Sequence, residues 1–172
     1  MRSKFSVLGH PVHPALVAIP IGLLVWTLVS DIVYVASGTD HMWYDIAFWT
    51  GIAAIGTALV AALPGFGDYF TVALNSEARD MATAHMVLNL GTVVLFLVAM
   101  MLMLDDGATS GGRLGFTVVL HVLGVGLASL SGWLGGEMVF RHNIGMVPDD
   151  ADLERAEQRQ HEFRPQAGRV SR

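Results

Sequence analysis

Long apolar stretches alternate with short polar segments along this chain of 172 residues. Residues 15–30 and 46–63 carry no charged side chain, and the two later stretches each contain one ionisable residue, His85 and His121. A helix of about 20 apolar residues crosses the hydrocarbon core of a bilayer. The pattern therefore predicts an all-α integral membrane protein, a bundle of four transmembrane helices over about residues 14–37, 44–64, 82–104 and 114–138.

Composition supports the membrane class over a soluble helical protein. Charged residues make up only 15% of the chain, against about 25% in soluble domains. We expect a transmembrane domain over residues 1–147 and a polar, partly disordered cytoplasmic tail over 148–172. The first apolar run is too long for a cleaved signal peptide, so we expect it to be retained. The absence of cysteine excludes disulfides, thiolate metal sites and covalently attached c-type haem.

The basic residues predict the orientation of the four helices. Nine of the ten Lys and Arg residues fall on the side that holds both termini and the loop between the second and third helices. Arg113 stands alone on the other side. Because cytoplasmic loops are enriched in Lys and Arg, both termini should be cytoplasmic. The tail mixes both charges, so we expect no nucleic-acid partner. The apolar spans predict contact with the lipid bilayer, and we also expect a homo-oligomer.

Glycines give two further local predictions. The segment LPGFGDYF, residues 63–70, contains two glycines and a proline and predicts a tight turn at the end of the second helix. In the fourth helix, Gly124, Ala128, Gly132 and Gly135 fall on one broad face, which predicts close packing against another helix. No tandem repeat is evident in the sequence.

Histidines and carboxylates converge at the cytoplasmic ends of the predicted helices. The segment GHPVHPALVAIPIGL, residues 9–23, places two histidines at the start of the first helix. Imidazole is a common ligand of haem iron and of transition metals. The candidate cofactor ligands are His10, His13, His85 and His142, and the candidate metal ligands are His10, His13, His85, Asp68 and Glu137. The alternatives are helix capping by His10 and His13 and an interhelical hydrogen bond by His85.

A second set of polar residues lies within the predicted spans. Asp31, Asn89 and His121 are candidates for an intramembrane polar path, because ionisable groups inside a membrane usually face the interior of the bundle. Asp31 is the ionisable residue that the sequence offers as a partner for His121.

Three segments together resemble a known family. They are residues 9–23 with the downstream Asp31, ATAHMVLNL (82–90) and SGWLGGEMVFRHNIGM (131–146). The chain resembles the bacterial four-span membrane proteins of domain-of-unknown-function family 2231, over about residues 5–147. The resemblance implies a location in the bacterial cytoplasmic (inner) membrane. The family has no settled activity, but its domain is sometimes found beside Rieske-type iron–sulfur domains, which implies redox chemistry.

These observations favour a membrane protein with a histidine-rich site for b-type haem or a transition-metal ion, linked to electron transfer with a redox partner protein. Two alternatives stay open, an ion or small-solute transporter or channel subunit and a non-catalytic assembly subunit. The chain lacks the GxSxG, HExxH, P-loop and GxGxxG signatures, so no catalytic residue and no reaction are assigned.

Overall fold

The computed structural model describes residues 4–8, 10–37, 40–74, 76–104, 111–145 and residue 158. Its four helices are α1 (Val12–Ala36), α2 (His41–Tyr69), α3 (Glu77–Met103) and α4 (Gly111–His142), preceded by the short strands β1 (Ser6–Val7) and β2 (His10–Pro11). All four helices are long and apolar enough to span a membrane. The predicted fold class is thus confirmed. Apart from residue 158, the predicted tail over 148–172 lies outside the described residues.

Polar caps define where the second and third helices begin. Asp40 precedes α2 and accepts a hydrogen bond from the backbone N–H of Met42 at 3.0 Å. Ser76 precedes α3 and accepts from the N–H of Arg79 at 3.2 Å. The guanidinium of Arg79 also lies over the ring of Tyr69, 3.5 Å from its centroid, and donates to the Tyr69 carbonyl. Arg79 therefore fastens the end of α2 to the start of α3.

The N-terminal segment folds back as a small hairpin against the end of α2. β1 and β2 pair antiparallel, with Val7 opposite His10. The backbone N–H of Lys4 donates to Asp68 Oδ1 at 2.8 Å. The ring of Phe5 lies against Gly67, where an added Cβ would collide with it. The hairpin thereby fixes the entry to α1 at this end of the bundle.

The helices form two hairpins, because α1 packs mainly on α2 and α3 packs mainly on α4. Small buried residues keep these pairs close, and two apolar clusters fill the space between the hairpins, one around Met100 and one around Phe96. Large apolar side chains such as Trp49, Leu63 and Trp133 point outwards. In a membrane this apolar exterior contacts lipid.

The two hairpins repeat one burial pattern, which the sequence alone did not reveal. Buried positions of α1 recur 72 residues later in α3, and those of α2 recur 70 residues later in α4. In the first and third helices the pairs are Pro20 and Thr92, Leu24 and Phe96, Thr27 and Ala99, and Asp31 and Met103. In the second and fourth they are Ala47 and Thr117, Gly51 and His121, Ala54 and Gly124, and Ala61 and Ser131. Since α1 and α3 run in the same direction, the hairpins are parallel repeats about the bundle axis.

The predicted turn over residues 63–70 is wrong, because α2 continues through Pro64 to Tyr69. The glycines of this segment serve contacts instead of a turn. A Cβ on Gly65 would lie 2.7 Å from Nδ1 of His13, and one on Gly67 would meet Phe5. Proline removes one backbone hydrogen bond from a helix interior. α1 and the N-terminal segment pack on this part of α2, and the helix continues there without a break.

The predicted packing role of Gly132 is also wrong. Gly132 is exposed, and an added Cβ there would have no atom of the chain within 4 Å. At 100° per residue, position 132 lies 80° from position 124, whereas position 131 lies only 20° from it. Ser131 is accordingly the buried residue of that turn. Gly124 and Gly135 do contact α3, at Phe96 and His85.

We predict that Gly124→Ala lowers the free energy of unfolding by about 1–3 kcal/mol, because the added methyl lies 2.6 Å from the buried ring of Phe96. Gly132→Ala is the matched control on the same helix. It should leave stability unchanged or raise it by up to about 1 kcal/mol through helix propensity. Reversible unfolding of both variants in mixed micelles measures the difference. Equal effects would contradict the packing described for Gly124.

Candidate functional site

His13 lies in the second position of α1 and contacts α2. Its Nδ1 is 2.8 Å from the carbonyl oxygen of Ala61, and since a carbonyl only accepts, Nδ1 carries the proton and donates. The imidazole lies over Gly65, one turn further along α2. Its Nε2 makes no hydrogen bond within the described part of the chain. His13 is therefore held by one nitrogen and leaves the other open.

His85 has the same relation to α4. Its Nδ1 is 2.8 Å from the carbonyl oxygen of Ser131, and the imidazole lies over Gly135, again one turn further along. Ser131 Oγ lies 2.9 Å from the same nitrogen and donates to the carbonyl of His85. Nδ1 is thus the protonated nitrogen, and Nε2 accepts from the amide of Asn89 at 3.0 Å. This defines the tautomer of His85.

The two histidines occupy equivalent positions in the repeated hairpins and meet between them. Their ring centroids are 6.2 Å apart, with the ring planes at 88°. His13 and His85 belong to α1 and α3, which are diagonal helices in an up-and-down bundle, so the pair lies near the bundle axis. We therefore define His13 and His85 as the paired-histidine site. The structure brings these two predicted site residues together.

The other predicted ligands lie elsewhere. His10 is exposed, and its Nδ1 bonds the nearby carbonyl of Leu8 at 3.1 Å. Asp68 accepts from the backbone of Lys4. Glu137 pairs with Arg141 one turn later in α4. Nε2 of His142 is buried without a hydrogen-bond partner in the described residues.

The five-residue metal centre is not assembled. Throughout the described ranges, no group of three or more His, Asp or Glu side chains is placed to hold a metal ion. The capping alternative also fails, since Pro11 precedes α1 and no side chain caps that end. The interhelical hydrogen bond that was the alternative for His85 is present, to Ser131.

The predicted polar path separates into two places. Asn89 belongs to the paired-histidine site, where it bonds His85. Asp31 and His121 form a buried pair, in which Nδ1 of His121 meets Oδ2 of Asp31. The two side chains are 2% and 0% exposed. Nε2 of His121 has no hydrogen-bond partner in the described part of the chain.

Several supporting residues were missed from the sequence. Ala61 and Ser131 supply the carbonyls for the histidines, and Phe96 lies 4.6 Å from the His121 ring, centroid to centroid. A signal for the first two was available. Each is a small residue followed four positions later by glycine, a spacing that opens one helix face to a side chain from another helix.

Comparison with known proteins gives one match. A family model described as "Predicted membrane protein (DUF2231)" matches residues 9–148. No curated protein and no solved structure matches the chain.

We predict that His121→Leu lowers the free energy of unfolding by about 3–5 kcal/mol, because it leaves the Asp31 carboxylate buried without its partner. The double variant Asp31→Met, His121→Leu should recover most of that loss, since the repeat already places Met103 at the equivalent buried position. Unfolding in mixed micelles compares the variants. A double variant as unstable as His121→Leu would contradict this account.

Proposed function

We infer the function from one premise: the chain belongs to the DUF2231 family of predicted membrane proteins. We propose that it is an integral membrane protein that binds b-type haem at the paired-histidine site and takes part in electron transfer with a redox partner protein. The observation that carries this proposal is the contact between His13 and His85, whose ring centroids are 6.2 Å apart near the axis of the bundle.

The orientation of each imidazole supports a ligand role. Histidines that bind metals almost always donate their other ring N–H to a carboxylate, a backbone carbonyl or water. Both histidines here donate Nδ1–H to a carbonyl, of Ala61 and of Ser131. Nε2 of His13 makes no hydrogen bond within the described residues. Nε2 of His85 would be free to bind a metal once the side chain of Asn89 moves away from it. The two nitrogens available to iron are therefore both Nε2.

The number of ligands favours haem over a bare metal ion. A protein-bound zinc ion needs three or four protein ligands, and the described residues contain no such group. Haem iron already has four porphyrin nitrogens and takes only axial ligands from the protein. Two imidazoles that would hold one iron between them must face each other closely, and His13 and His85, with ring centroids 6.2 Å apart, are placed to do so.

The packing of the bundle supports the same location. The two hairpins pack against each other less extensively than the two helices of each hairpin do. A planar group that enters between the hairpins therefore disrupts fewer contacts than one that enters within a hairpin. The cofactor would supply one-electron transfer, and this chain's contribution would be to hold two half-buried imidazoles in fixed tautomers between the hairpins.

We predict that the full chain, produced with an adequate supply of haem and purified in detergent, shows a Soret band and sharp α and β bands on reduction. His13→Ala and His85→Ala should each abolish the six-coordinate spectrum, because each removes one axial imidazole. His10→Ala is the matched control, since His10 stands in the same motif but is exposed and bonded only locally. It should leave the spectrum unchanged.

Chemical rescue with free imidazole distinguishes the loss of a ligand from misfolding. Imidazole added to His13→Gly should restore the spectrum, whereas a variant that fails to fold will not respond. A colourless wild-type protein that has full helical content and takes up no added haem would contradict the proposal. That result would favour the alternatives, a transporter or channel subunit or an assembly subunit.

We also propose that the protein lies in the bacterial cytoplasmic membrane with both termini in the cytoplasm. Nine of ten Lys and Arg residues on that side support this orientation. Reporter fusions at residues 40 and 109 should give periplasmic activity, and fusions at residue 75 and the C-terminus should give cytoplasmic activity. Periplasmic activity from the C-terminal fusion would reverse the assignment.

A further inference from the structure

The buried pair of Asp31 and His121 lies at the opposite end of α1 from the paired-histidine site. Asp31 is 18 residues from His13, or about 27 Å along the helix. It lies five residues before the end of α1, and His121 lies ten residues after the start of α4. Both side chains are therefore inside the apolar part of the spans, between two neighbouring helices.

We infer that Asp31 and His121 form a proton-binding site inside the membrane, reached from the α1–α2 loop through Tyr34 and His41. The site takes up one proton and releases it again, with no covalent chemistry. This inference does not depend on haem binding at the paired-histidine site.

The pair has features that stability does not explain. Asp and His are rare inside spans and mark functional sites by default. A buried ion pair adds little net stability compared with apolar residues, and here Nε2 of His121 is left without a partner in the described residues, which is costly in itself. The equivalent positions of the repeat, Met103 in α3 and Gly51 in α2, carry no ionisable group.

The chemistry of the pair fits a proton better than a metal ion. Nδ1 of His121 is fixed by the carboxylate, so protons exchange at Nε2 or are shared with Asp31. Histidine is the side chain whose charge changes near physiological pH. A third ligand for a metal is missing among the described residues. Phe96 covers the imidazole at 4.6 Å, centroid to centroid, in the space left by Gly124.

Aromatic and imidazole side chains connect this site to the end of the bundle. Tyr34 follows Asp31 by three residues on the same face of α1 and is 1% exposed. Its ring contacts those of His41 at 6.5 Å and Tyr44 at 5.5 Å, centroid to centroid. His41 is exposed at the start of α2. The ring of Tyr34 thus lies next to the exposed imidazole of His41, one helical turn after Asp31.

Each neighbouring helix contributes a known set of titratable groups. α1 contributes Tyr34, and α2 contributes His41 and Tyr44, whose hydroxyl donates to the Met103 carbonyl at 2.6 Å. α4 contributes Arg113, two turns before His121. α3 contributes none between Phe96 and Met103.

The test is NMR of the full chain, with ¹⁵N-labelled histidine, in lipid nanodiscs. Lowering the pH should move the chemical shifts of the His121 nitrogens through one transition, as the proposed site takes up its proton. Asp31→Asn should change the midpoint of that transition, and Tyr34→Phe should slow proton exchange at His121 at least about tenfold by removing the relaying hydroxyl. Tyr44→Phe is the matched control, because it removes a hydroxyl that bonds a backbone carbonyl instead.

Two results would overturn the inference. His121 nitrogens whose chemical shifts do not change with pH would exclude a proton-binding site, and this measurement needs only the wild-type chain. Equal exchange rates in Tyr34→Phe and Tyr44→Phe exclude the proposed route. Because the readout requires no haem, a negative result here leaves the electron-transfer proposal untouched, and loss of haem binding leaves this one untouched.

Discussion

A hydrocarbon core offers no water, so each polar group inside the spans must find its partner within the protein. This constraint explains most of the interhelical polar contacts. His13 bonds the Ala61 carbonyl, His85 bonds the Ser131 carbonyl, and Thr92 Oγ1 donates to the Gly124 carbonyl at 3.3 Å. Each of these bonds requires a small residue on the facing helix, because only then can the two backbones come close enough.

The repeated hairpin shows one solution used twice. In both halves a histidine early in the first helix bonds a carbonyl of the second helix and lies over a glycine one turn later. Two such hairpins in the same orientation bring their histidines together at the axis, since equivalent positions of parallel repeats face one another there. The paired-histidine site is therefore a consequence of the repeat as well as of the individual residues.

The repeat is broken where the two halves differ in chemistry. Asp31 and His121 face each other across α1 and α4, whereas the equivalent positions, Met103 of α3 and Gly51 of α2, carry no ionisable group, and the side chain of Met100 packs against Gly51. Both arrangements fill the space between the hairpins. The apolar version shows that packing alone does not require a carboxylate and an imidazole, and this difference between equivalent positions is what singles out the Asp31–His121 pair.

The sequence by itself determined the four spans, because a membrane-spanning helix needs a long run of apolar residues and this requirement is local. It also indicated the participants at the sites, since ionisable residues stand out against such runs. It could not determine which of them meet: His10 and His13 are three residues apart, yet only His13 reaches His85. The predictions of a turn near Pro64 and of a helix contact at Gly132 were wrong for a related reason. Whether a glycine serves a turn, a close approach or a lipid-facing surface depends on the helix opposite, and that neighbour is known only from the tertiary structure.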